Sequence, residues 1–134
     1  MQFTRKGDYA LRAMVFLAGS KNTTPSTIDE ISKKSNVPRH FLAKILRDLT
    51  QANLLVAVKG ARGGYRLAKR PADITLLDVI EATVGPIALN MCLQGPDRCP
   101  YADTCGLHPI WEKATKALKD LFGQTRLSTV NAPR

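Results

Sequence analysis

The chain has 134 residues, with 20 Lys and Arg against 11 Asp and Glu, a net charge of +9. That length suits one domain with an appended element, and a chain of this size buries about two-thirds of its unfolded surface without disulfide staples. An apolar share of 44% fits a globular protein rather than a disordered one, and no apolar run approaches the roughly 20 residues of a membrane helix.

Thr4 caps a first helix running to about Ala18, with Tyr9, Ala10, Ala13, Met14 and Leu17 on one stripe. Arg5, Lys6, Asp8 and Arg12 interrupt that stretch, and no cleavage site follows, so it does not read as a secretory signal. The expected compartment is a reducing cytoplasm, where three cysteines are too few for a disulfide framework. Residues 19–25 read as a loop. Ser26 with Asp29, and Thr27 with Glu30, each fit a capping box for a short helix with Ile28 and Ile31 inward. Asn36 and Val37 turn the chain, and Pro38 suits the first position of the next helix. That helix runs to about Ala52 with Phe41, Leu42, Ile45, Leu46 and Leu49 buried. Residues 54–59 read as a strand, 60–64 as a tight glycine-rich connection and 65–67 as the returning strand. Thr75 and Asp78 cap another short helix, which Gly85 and Pro86 end. Residues 87–108 have no period and hold every cysteine. Pro109 opens a helix with Ile110, Ala114, Ala117, Leu118, Leu121 and Phe122 on one stripe, and the tail from Gly123 is weakly patterned. There is no internal repeat or low-complexity tract. The organisation expected is 1–86 as one folded unit, 87–108 as a cysteine loop and 109–134 as a helix with its tail.

The charge is concentrated. Residues 33–70 carry ten Lys and Arg with Asp48 as the sole acid, so this segment accounts for the whole net charge of +9. Helix, short turn, helix and two-stranded ribbon is the order of a winged helix-turn-helix, so the expected fold is mainly α with a small β-wing. In such a pair the second helix presents its N-terminal residues to base edges in the major groove. Here those are Pro38, Arg39, His40 and Lys44. Arg39 suits guanine or a phosphate. The ribbon tip holds Lys59 and Arg62, and Gly63, Gly64 and Tyr65 complete the candidate DNA interface. Each feature alone also fits a plain helical hairpin or β-hairpin. Their combination with localised charge favours double-stranded DNA as partner over a membrane, because no Trp- and Phe-rich apolar face accompanies the charge.

Cys92, Cys99, Cys105 and His108 form C-x6-C-x5-C-x2-H. The spacing is too wide for a C-x2-C zinc knuckle, and there is no C-x-x-C redox pair. Thiolates in a reducing compartment suit an iron–sulfur cluster, with structural zinc and unliganded thiols as alternatives. The positive end of the helix at Pro109, with Arg98 and Lys113, favours an anionic thiolate site. His108 is one candidate fourth ligand and Asp8 of a partner subunit another; the helix dipole alone also accounts for an acid at Asp8. A thiol enzyme is the rival from another class. No general base beyond His108 accompanies the cysteines, so the chain is not expected to be an enzyme.

The segments MQFTRKGDYALRAM, TIDEISKKSNVPRHFLAKILRDL, KGARGGYRLAK and the cysteine run ending CGLHPIW resemble the IscR/NsrR/RirA-type regulators, bacterial winged-helix transcription factors of the Rrf-two family. The resemblance spans residues 1 to about 122. It implies a homodimer that pairs through a long C-terminal dimerisation helix at 109–122 and reads a roughly palindromic operator. It also implies that Cys92, Cys99 and Cys105 bind a 2Fe-2S or 4Fe-4S cluster whose state tunes DNA affinity in response to iron, oxygen or nitric oxide. Members differ in using a His two residues after the third cysteine or an acid in helix 1 of the partner, and this sequence has both, at His108 and Asp8. The first cysteine gap is one residue longer than in isc-type members, and some relatives lack cysteines. A zinc-stabilised repressor and a cofactor-free regulator are therefore the alternatives.

Overall fold

Thr4 Oγ1 accepts the Gly7 N–H at 3.1 Å and starts α1 (Arg5–Gly19). The computed structural model describes residues 3–20 and 24–130; Met1, Gln2, the middle of the expected loop at 21–23 and the end of the tail at 131–134 lie outside them. A capping box between Thr27 and Glu30 opens α2 (Ile28–Ser35), which ends at Asn36 in the left-handed region. Val37 is buried, and α3 (Arg39–Gln51) follows. β1 (Leu55–Val58) and β2 (Gly64–Leu67) form an antiparallel ribbon with Leu55 opposite Leu67 and Val58 opposite Gly64. A 3-10 turn at Pro71–Asp73 leads to α4 (Leu76–Thr83), whose capping box joins Thr75 and Asp78. A second 3-10 turn, Met91–Leu93, lies in the cysteine loop, and α5 (His108–Gln124) and α6 (Leu127–Val130) complete the chain. No helix among the described residues is long and apolar enough to cross a membrane. The molecule is a mainly helical winged fold with one small sheet.

Ala10, Ala13, Met14 and Leu17 recur on one side of α1 and are all buried. They meet Ile31 of α2, Leu42, Ile45, Leu46 and Leu49 of α3, and Val79 of α4 in one core. α1 therefore packs against α2, α3, α4, α6 and the ribbon. A charged tie supplements this packing. Lys6 Nζ donates to Asp48 Oδ2 at 2.7 Å and joins α1 to α3, while Lys44 Nζ donates to Oδ1 at 3.1 Å.

The structure corrects the sequence reading at four places. Pro38 is the N-cap of α3 rather than its first helical residue. Phe41 is 38% exposed, with its ring 5.2 Å from that of Tyr9, because its position on α3 meets the edge of α1 instead of the core. Ser26 does not cap α2; its backbone N–H and carbonyl pair with Tyr65 at 2.9 and 2.8 Å. Finally, the weakly patterned tail folds back. Leu127 is 0% exposed in the main core, its N–H donates to the Ile74 carbonyl at 2.9 Å, and Leu76 N–H donates to the Thr125 carbonyl at 3.0 Å. Outside these corrections, the apolar stripe of α5 is half open within the chain: Ile110 and Leu121 are 55% and 58% exposed, Ala114, Leu118 and Phe122 are partly buried, and Thr115 is the one buried residue of the helix.

Leu127→Ala removes a fully buried leucine and leaves a cavity, so it costs about 2–5 kcal/mol; denaturant unfolding of the variant beside the parent checks it. The Lys6 ammonium, helped by Lys44 and opposed by partial burial, holds the Asp48 carboxyl below the ordinary carboxylate range. Stability from this lowered pKa is full above about pH 4 and disappears as pH falls through the folded value. Asp48→Asn is therefore about 1 kcal/mol less stable at neutral pH, and the gap to the parent closes on acidification. A gap constant from neutral pH to pH 2 would show that the carboxylate charge is not the cause.

Candidate nucleic-acid interface and cysteine loop

The turn between α2 and α3 is built by local chemistry. Asn36 adopts φ 55° at the α2 C-cap, and Ser32 Oγ donates to the Val37 carbonyl at 2.7 Å. Buried Val37 and the fixed φ of Pro38 then launch α3. No side-chain hydrogen bond caps α3, and the Phe41 N–H of its first turn donates to the Pro38 carbonyl at 3.1 Å. Arg39, His40 and Lys44 are exposed on this end of the helix. Arg39 Nη1 lies 3.3 Å from Asp29 Oδ1 of α2, the His40 ring lies 4.4 Å from that of Phe41, and Lys44 is held by Asp48.

The ribbon is anchored at its base by the Ser26–Tyr65 pairing. Gly64 has φ +152°, and a Cβ there would collide with the Ser26 carbonyl, so glycine is what lets the two backbones touch. A Cβ at Gly63 would meet the Val58 carbonyl; its N–H closes the tip turn on the Gly60 carbonyl at 3.0 Å. Tyr65 is half-buried against the core, so the structure gives its side chain a packing role. Lys59 and Arg62 project from the tip, exposed and without an ion pair among the described residues.

Cys92, Cys99, Cys105 and His108 line one cavity of about 360 Å³, with Arg98 and Trp111 also in its wall. All three thiols are partly buried. Tight turns shape the loop: Cys105 N–H donates to the Tyr101 carbonyl at 2.8 Å, and His108 N–H to the Cys105 carbonyl at 3.1 Å. His108 Nδ1 is buried without a hydrogen-bond partner among the described residues, while Nε2 lies 3.3 Å from Glu112 Oε1. No three Cys, His, Asp or Glu side chains among the described residues stand close enough to hold a single metal ion. Soft thiols and an unpartnered imidazole nitrogen around one cavity nonetheless match the donors an iron–sulfur cluster takes.

Asp8 is not brought to this cavity within the chain. It pairs with Arg12 at 2.8 Å and lines a separate cavity of about 900 Å³ with Arg5, Tyr9 and Pro38 beside the helix-turn-helix. Sequence reasoning also missed the pairing of Lys6 with Asp48. The available signal was a single acid within a long basic segment.

Comparison with known proteins agrees with this geometry. Residues 3–133 match the model of the Rrf2 family, described as iron-dependent transcriptional regulators. A protein of Aquifex aeolicus, described by type as an HTH-type transcriptional regulator, is 36% identical over 129 residues, 95% of this chain and 89% of its own length. Among solved structures, CymR (YrzC), the global cysteine regulator of B. subtilis, superposes with a TM-score of 0.78 at 28% identity, covering 98% of this chain and 96% of its own. IscR of T. potens superposes with a TM-score of 0.76 at 26% identity, covering 96% and 84%. These relatives are transcriptional regulators rather than enzymes, so the thiol-enzyme reading falls. The exposed basic start of α3, the cationic ribbon tip, the family match and the shared fold lead to one conclusion: the chain belongs to the Rrf2 family of DNA-binding transcriptional regulators.

Proposed function

We propose that the chain works as a homodimer whose operator affinity is tuned by an iron–sulfur cluster held by Cys92, Cys99 and Cys105, with His108 as fourth ligand. The observation that carries this reading is the cavity shared by three partly buried thiols and the partnerless His108 Nδ1. A cluster bound there would supply a centre that iron supply, oxidation or nitric oxide can alter. Glu112 beside Nε2 favours the tautomer with the proton on that nitrogen, which leaves the Nδ1 lone pair free for a metal. Asp8, tied to Arg12, is the less prepared ligand.

The rest of the mechanism lies in the packing. The cysteine loop leads directly into α5, α5 packs on α4, and α4 packs on α1 and α3. Leu89 N–H also reaches Thr115 Oγ1 on α5 at 3.4 Å. Closing the loop around ligands thus biases the seat of α5 on α4 and, through α4, the winged unit 1–86. The exposed Leu107, Ile110 and Leu121 make α5, within the segment 109–134, the surface proposed to pair with a second copy. Two recognition helices must then span half-sites about 34–36 Å apart, a separation that tolerates little change. Arg39, His40 and Lys44 with Pro38 would face the major groove, and Lys59 and Arg62 on the Gly63–Gly64 turn would meet phosphates. A second reading, regulation without a cluster, draws on the likeness to a protein named as a cysteine regulator.

Anaerobically purified protein is expected to be brown, with iron and acid-labile sulfide; Cys105→Ser and His108→Ala lose the colour or shed it faster, and Asp8→Asn keeps it. Colourless protein carrying zinc, or failing cluster reconstitution, overturns the cluster reading and leaves the regulator fold intact. For DNA, engagement of six to ten phosphates predicts an affinity loss of about 10³–10⁵-fold between 50 and 200 mM salt. Arg62→Ala is expected to lower affinity for all sequences alike and to flatten the salt slope by about one. Fluorescence anisotropy on a mixed-sequence duplex measures both; a flat salt response would sink the wing assignment.

A further inference from the structure

Asp48 stands alone as an acid in a segment carrying ten Lys and Arg. It accepts hydrogen bonds from two lysines on two helices, Lys6 at 2.7 Å and Lys44 at 3.1 Å. Its side chain is 13% exposed, whereas Lys44 is 66% exposed. Lys44 precedes Asp48 by four residues, the weaker order for a helical ion pair. The pair is therefore not explained by α3 alone: Lys6 of α1 fixes the carboxylate from behind, and Lys44 folds down onto it.

We propose that Asp48 is a specificity-determining residue for DNA binding: by holding Lys6 and Lys44 it withholds two ammonium groups from phosphates and lowers affinity for non-operator DNA. The inference rests on the reading of α3 as the DNA-facing helix. Affinity for arbitrary sequence comes almost wholly from phosphate neutralisation, whereas operator affinity adds contacts to base edges. A carboxylate beside Lys44 weakens the first component and leaves base contacts from Arg39 and His40 unaltered. An approaching phosphate must share Lys44 with Asp48 and meets like-charge repulsion. The specificity ratio, rather than affinity itself, gains from this arrangement.

The test uses the full chain, a mixed-sequence duplex and a salt series. Asp48→Asn and Asp48→Ser are both made, and either suffices once its thermal unfolding shows a folded protein at the assay temperature. The expected result is affinity raised about two- to tenfold at low salt, with log K against log salt steeper by about one to two. Glu81→Gln is the charge control, because Glu81 is an exposed acid on α4; it leaves both readouts unchanged. In a Lys6→Ala/Lys44→Ala background, Asp48→Asn gives no further gain. An unchanged slope, weaker binding, an equal gain from Glu81→Gln, or a full gain without the two lysines each overturns the proposal. If the parent chain binds no duplex at any salt, the DNA-facing reading of α3 fails instead, which is a separate outcome.

Discussion

Close packing of α1 is the constraint on which the other elements depend. Its inward residues include two alanines, Ala10 and Ala13, with Met14 and Leu17, all buried. Small side chains let α3 and α4 approach, and the larger pair fills the space between them. Gly7 extends the same surface, since a Cβ there would press on Phe3 and Val84. Because α2, α3, α4, α6 and the ribbon all meet α1, the orientation of the recognition helix and the seat of the C-terminal helices are set against one body. Apolar burial of this kind supplies most of the driving force for folding, and the Lys6–Asp48 tie adds direction to it.

Elements whose signals are local were legible in the sequence. The Thr27–Glu30 and Thr75–Asp78 capping boxes form as their spacing implies, because each satisfies two otherwise orphaned N–H groups within one turn. The glycine-rich ribbon formed for the same reason: tight turns and close backbone approach leave few residue types. Features that depend on distant partners were not legible. Leu127 is one apolar residue in a stretch without period, and only the Ile74 carbonyl and the core beyond it make that site a strand-like bridge and a short helix. Ser26 carries a capping residue's chemistry, yet its backbone is taken by Tyr65 of the returning strand. Phe41 and the α5 stripe follow helical periodicity, but periodicity states which residues share a face and not what covers it. At the candidate cofactor site, spacing brought Cys92, Cys99, Cys105 and His108 together, while the preparation of His108 by Glu112 needed coordinates.

The basic segment is not one uniform charge. On the helix pair two cations are compensated, Arg39 by Asp29 and Lys44, together with Lys6 of α1, by Asp48, whereas Lys33, Lys34 and Arg47 are exposed with no ion pair among the described residues. At the ribbon tip, Lys59 and Arg62 stand exposed with no ion pair among the described residues. Attraction over a Debye length of about 8–10 Å belongs to uncompensated charge, so under the proposed reading Lys59 and Arg62 at the ribbon, with Lys33, Lys34 and Arg47, would supply long-range pull toward a phosphate backbone. Arg39 and Lys44, each beside a carboxylate, would contribute at contact, where hydrogen-bond geometry discriminates among base edges. A regulator that must leave non-operator DNA readily benefits from this division. In that reading the tip would attract without reading bases, and α3 would read them while its Lys44 is restrained.

The same division shows why a change at the cysteine loop can matter far from it. Lys59 and Arg62 on a glycine turn tolerate small shifts, since a phosphate contact is forgiving in position. Base contacts from α3 are not forgiving, because bidentate hydrogen bonds weaken steeply as angles depart from linear. α5 leaves the cysteine loop, packs on α4, and at its far end is tied through Thr125 and Leu127 to Leu76 and Ile74. Anchored at both ends, α5 cannot absorb a displacement of its N-terminus by swinging freely. The packing of α5 on α4, and of α4 on α1 and α3, offers such a displacement a path to the helix pair. If the proposed function holds, a small movement at His108 would act on the component of binding least able to tolerate it and would leave the electrostatic component at the ribbon nearly intact.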